Sequence, residues 1–86
     1  MPFGGDTFDG ARDGDRLKRQ FADVWRVMFD ARWRTLGEIA SMTGHPEASV
    51  SARLRDFRKK KFGGHTVERR HVSKGLWEYQ LIVVKP

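Results

Sequence analysis

The side chains able to do chemistry in this 86-residue chain are mostly cations, and they lie close together. Between Arg53 and Lys74 there are nine Lys or Arg residues and only two acidic ones. Upstream, Met1 to Ala31 carries five basic and six acidic residues, so the formal net charge of +6 comes from one short stretch. That concentration is the electrostatic footprint of a phosphate-binding surface; a merely solubilising face is the plainer reading of charge alone. The order of residues favours binding. Ala48, Ser49, Ser51 and Ala52 come before Arg53, Arg55, Arg58, Lys59 and Lys60. On a helix, small residues let the first turns approach a surface closely while the later cations hold phosphates. A helix merely facing water would more often carry Glu–Lys pairs.

Other chemistry finds little support. Without cysteine there is no disulfide framework and no thiolate metal site. His45, His65 and His71 have no H-E-x-x-H run and no ligand spacing. Gly63-Gly64 follows a helical pattern instead of opening a helix after a strand, so it is not a phosphate loop. The serines and threonines near residues 35–51 have no His and Asp arranged to complete a triad. The expectation is therefore a binding protein and not an enzyme, with no metal, cofactor or small-molecule ligand. No apolar run reaches the roughly 18 residues of a membrane span, and the amino end has no signal-peptide core, so a cytoplasmic protein is expected.

The positioning elements follow from periodicity. Residues 1–14 hold four of the nine glycines with Pro2, Asp6, Asp9 and Asp13. They read as a flexible acidic tail ahead of one domain over residues 15–86. Asp15, with Asp13 as the alternative, is the expected N-cap of a first helix whose inward face carries Leu17, Phe21, Val24 and Met28, widened by Trp25 and Phe29, and which ends near Ala31 or Arg32. Trp33-Arg34 is a short extended link with scope for a third strand. Thr35-Leu36-Gly37-Glu38 fits a capping box for a short second helix with Leu36, Ile39, Ala40 and Met42 on its buried side, stopped by Gly44. Pro46 suits the first turn of a third helix over residues 46–60, whose inward stripe is Val50, Leu54 and Phe57.

Two β-rich runs, Thr66 to Val72 and Leu76 to Val84, flank Ser73-Lys74-Gly75. A three-residue loop with Gly75 left-handed pairs Val72 with Leu76, His71 with Trp77, Arg69 with Tyr79 and Val67 with Leu81. This register keeps Val67, Trp77, Tyr79 and Leu81 on the core face and sets Arg70 opposite Glu78 on the other. Arg69 is then placed to stack on Tyr79.

Helix, short link, helix, turn, helix and basic hairpin, an α+β arrangement, resemble a winged helix-turn-helix domain over roughly Leu17 to Val84. The stretch from Thr35 to Lys59 looks like a positioning helix, turn and recognition helix. The stretch from Lys61 to Arg70, with Gly75 to Leu81, is similar to small winged-helix proteins of actinobacterial phages and prophages. The resemblance implies a small regulator with residues 46–60 in the major groove of double-stranded DNA and the 66–82 hairpin as wing. It implies base-edge contacts from His45, Glu47, Ala48, Ser49, Ser51, Ala52 and Arg55, with phosphate contact equally open to Arg55. Phosphate contacts would come from Arg53, Arg58, Lys59 and Lys60, and wing contacts from Arg70, Ser73 and Lys74. The competing implication is a winged helix that binds protein, such as a host polymerase, replication or division factor. A homodimer stays open, resting on whether Trp25, Phe29 or Trp33 is exposed.

Overall fold

A computed structural model describes residues 10–84. It comprises α1 (Gly10–Met28), β1 (Arg34–Thr35), α2 (Leu36–Thr43), α3 (Glu47–Phe57), β2 (Thr66–Ser73) and β3 (Leu76–Ile82), with a 3-10 turn at Lys60–Phe62. The fold is α+β: three helices and an antiparallel sheet of order β1-β3-β2, an arrangement compatible with a winged helix. The core is Val24, Met28, Ile39, Val50, Leu54, Phe57 and Leu81, drawn from all three helices and the central strand. Phe57 is its hub, with the rings of Phe21 and Trp25 packed edge-on at 4.8 and 5.5 Å.

Local signals act as the sequence implies at several places. Thr35 and Glu38 form the reciprocal capping box, each side chain accepting from the other's backbone amide. Gly44 takes the left-handed conformation and donates to the Ala40 carbonyl, closing α2. The Val50, Leu54 and Phe57 stripe is fully buried or nearly so.

Other boundaries differ. Helix α1 begins at Gly10 instead of Asp15; helix extension costs little once a nucleus exists. Residues 1–9 of the tail expected over residues 1–14 lie outside the described residues. Helix α1 ends at Met28, and Ala31 adopts φ 65°, turning the chain back toward the sheet. Leu17 and Met42, expected inside, are 46% and 58% exposed, because α1 outruns the core at its start and α2 outruns it at its end. Pro46 is the N-cap of α3 and not its first residue, and α3 stops at Phe57 because Lys59 is already extended. Strand β1 is shifted one residue on from Trp33-Arg34, pairing Arg34 with Tyr79 and Thr35 with Glu78.

The hairpin keeps the expected core register, with Val67 opposite Leu81, Arg69 opposite Tyr79 and His71 opposite Trp77. Its tip is built otherwise. Ser73, not Val72, pairs with Leu76 across a tight turn at Lys74-Gly75, and the register shift between His71 and Ser73 leaves Val72 as a bulge. A two-residue turn alone would flip every side chain; the extra bulged residue restores the inward face. Trp25 and Trp33 are half-buried, the first against Phe57 and the second beneath Arg70, whereas Phe29 is 57% exposed.

Gly63 closes the 3-10 turn at φ 106°, and a β-carbon there would collide with the His65 ring. Gly63→Ala is therefore expected to lower unfolding free energy by about 1–2 kcal/mol, measured by urea titration. An unchanged midpoint would contradict the packing of His65 over this turn.

Candidate nucleic-acid interface

Because Val50, Leu54 and Phe57 pin one side of α3 to the core, the opposite side must face out. Ala48 and Arg55 are exposed, and Ser49, Ser51 and Ala52 are half-buried along its flanks. Toward the hairpin, α3 and β2 enclose a groove of about 560 Å³ bordered by Ser51, Arg55, Arg58, Arg69 and Glu68, with Tyr79 behind. The Arg55 guanidinium lies 3.5 Å from the Ser51 hydroxyl. Among the described residues, Arg55, Arg58, Lys60, Arg69 and Lys74 have no carboxylate within ion-pair distance. Three of these cations converge on the groove from two different elements.

On the other flank of α3 two cations share one carboxylate. Asp56 pairs with Arg53 at 2.9 Å and with Lys59 at 3.0 Å. Burial pushes the Asp56 carboxyl up, but the Lys59 hydrogen bond and the charge of Arg53 outweigh it and hold it below the usual carboxylate range.

Several expected contacts are corrected here. Arg53 does not project as a phosphate clamp: its side chain is only 12% exposed, and it donates to Gln20 as well as to Asp56. Position 53 lies roughly 60° round the helix from Val50, which turns it toward α1. There the nearly buried Gln20 carbonyl needs a donor. His45, expected at a base edge, is held 2.9 Å from Asp23 of α1 and is 19% exposed. The Glu47 carboxylate leans back over Gly37 in the first turn of α2, where the helix's positive end favours it. Lys59 is paired but still 57% exposed, and Lys60 sits beyond the end of α3 in the 3-10 turn. Arg70, expected to reach from the wing, is instead ion-paired with Glu78 at 2.9 Å and laid over the Trp33 ring at 4.3 Å. Ser73 and Lys74 are exposed at the hairpin tip.

The residue that sequence reasoning left out of the interface is Arg69. Strand alternation puts it on the face of Val67 and Trp77, toward α3, while Arg70 faces away. It lies over Trp77 at 4.6 Å and not on Tyr79; His71 contacts the same indole at 5.1 Å. The expected register already contained this signal, since fixing Val67 inward fixes Arg69 on the same side.

The interface rests on a braced frame. Arg34 donates to both Asp30 oxygens at 2.8 and 3.0 Å and to the Val27 carbonyl, and Gln80 donates to the Ala31 carbonyl. The Arg34 hydrogen bonds bring the Asp30 carboxyl down from 3.8 to about 2, against burial and helped by the Arg32 amide. A depressed carboxyl stabilises the fold fully above its unfolded value, and that contribution disappears as pH falls toward about 2. Asp30→Asn should therefore lose less stability than the native chain when denaturant titrations at about pH 5 and about pH 2 are compared. Because Asp30 is 38% exposed, the difference will be modest. Identical losses would contradict it.

Among the described residues no group of three His, Asp or Glu side chains is close enough to hold a metal ion, and no helix is long and apolar enough to cross a membrane. Compared with known protein families, curated proteins and solved structures, the chain matches none.

Proposed function

We propose that this chain binds double-stranded DNA, with the exposed side of α3 in the major groove and the β2–β3 hairpin alongside as a wing. The observation that carries the reading is the convergence of Arg55, Arg58 and Arg69, none with a carboxylate partner among the described residues, on one groove between helix and hairpin. Asp56 and Glu78 hold Arg53 and Arg70 in ion pairs on the α1 flank of α3 and on the far face of the hairpin, whereas the three guanidinium groups of this groove keep their charge for a polyanion. Arg55 is the candidate for two hydrogen bonds to a guanine. Ala48, Ser51 and Ala52 allow close approach to base edges, with alanine suited to a thymine methyl. Arg58, Lys60, Arg69 and Lys74 hold phosphates and set the register on the duplex. In this reading the protein is a small regulator of the phage or bacterial kind, acting in the cytoplasm or nucleoid.

The test is fluorescence anisotropy of a labelled duplex at several salt concentrations. Four phosphate contacts predict a slope of log affinity against log salt of about −3.6. A flat response would contradict the phosphate surface.

A further inference from the structure

We infer that a second surface, on the other flank of α3, docks an acidic protein segment carrying one large apolar side chain. Here α1, the end of α3 and the 3-10 turn enclose a groove of about 320 Å³. Its floor is Leu17, Phe21 and Phe62, with the two phenyl rings 5.0 Å apart. Leu17 and Phe62 remain 46% and 37% exposed beside the core packed around Phe57. An exposed apolar floor in so small a domain is area that a partner can remove from water. Its size suits a single phenylalanine, leucine or tryptophan side chain rather than an extended apolar helix.

The rim decides what flanks that side chain. Lys18, Lys59 and Lys61 stand around the groove, and the Lys61 ammonium lies 5.1 Å from the centre of the Phe62 ring. Asp56 is the one carboxylate at this rim among the described residues, and it is shared between Arg53 and Lys59. Lys18 and Lys61 have no carboxylate partner among the described residues. An apolar anchor between Asp or Glu residues answers both features: the ring covers the floor and the carboxylates meet the ammonium groups. The groove with Arg55, Arg58 and Arg69 lies across α3, and the apolar side chains at its base, Leu54, Val67 and Tyr79, are buried or half-buried. The two surfaces can therefore be occupied together, and this one does not depend on the DNA reading.

The experiment uses the full chain and a fluorescein-labelled peptide of Glu and Asp residues around a single phenylalanine. A twin peptide with alanine in place of that phenylalanine serves as the comparison. Anisotropy should show the phenylalanine peptide binding about ten-fold or more tightly than its twin. The double variant Lys18→Glu/Lys61→Glu, and separately Leu17→Gln, should weaken it by a similar factor with thermal unfolding unchanged. In amide-shift spectra the perturbed signals should be those around Leu17, Phe21 and Phe62. Absence of binding, or equal binding of the two peptides, would overturn the inference. So would perturbation centred on Arg55, Arg58 and Arg69, with the peptide acting as a phosphate mimic.

Discussion

Reversing charge at Arg55 and Arg58 together is expected to weaken duplex binding at least about 100-fold at physiological salt while leaving the fold intact. Each guanidinium offers a charge-assisted hydrogen bond to DNA, worth about 1.5–3 kcal/mol, so losing two removes about 3 kcal/mol or more. Placing carboxylates there adds repulsion from the phosphates, and the salt slope should fall by about 0.9 per lost contact. Both side chains are exposed and make no ion pair among the described residues, so stability should stay within about 0.5 kcal/mol of the native chain. The matched comparison is Arg53→Glu. Arg53 faces α1 and supports Gln20 and Asp56, so its loss should appear mainly as reduced stability. Equal loss of DNA affinity from Arg53 and from Arg55, with stability unchanged in both, would contradict the division of α3 into a braced flank and a binding flank.

The second large effect is on the frame itself. Phe57 is completely buried where α1, α3 and the start of the hairpin meet, and its carbonyl accepts the His65 amide that begins the path into β2. Phe57→Ala removes the ring against which Phe21 and Trp25 pack, and leaves a cavity that three short helices cannot collapse around. The expected cost is about 3–5 kcal/mol. Domains of this size are stable by roughly 4–13 kcal/mol in total. Urea unfolding followed through tryptophan fluorescence should therefore show a midpoint displaced far toward zero, or no folded baseline. A loss under about 1 kcal/mol would mean that α3 is held by something other than this ring.

Much of the frame is legible along the chain because it depends on local spacing. The Val50, Leu54 and Phe57 stripe, the Thr35/Glu38 box and the left-handed Gly44 are each settled within a few residues. The hairpin register is legible for a different reason: only one alignment puts Val67, Tyr79 and Leu81 on the same face. The molecule reaches that alignment by a bulge at Val72 and not by a longer loop. The site is less legible along the chain, because its membership depends on contacts between distant segments. His45 meets Asp23 and Arg53 meets Gln20 across 22 and 33 residues, and no periodicity announces either pairing. A dense run of cations looks uniform in sequence. In the fold, Asp56 and Glu78 take Arg53, Lys59 and Arg70 out of it, and alternation along β2 brings Arg69 in.

The most direct test of the central claim, that DNA lies between α3 and the hairpin, is a map of amide and arginine side-chain shifts as a duplex is titrated into isotope-labelled protein. Perturbations are expected at Ser51, Arg55, Arg58, Arg69 and Lys74, with Arg53, Arg70 and His45 nearly still. Perturbations confined to the Leu17–Phe62 side of the molecule, or none at saturating duplex, would contradict it.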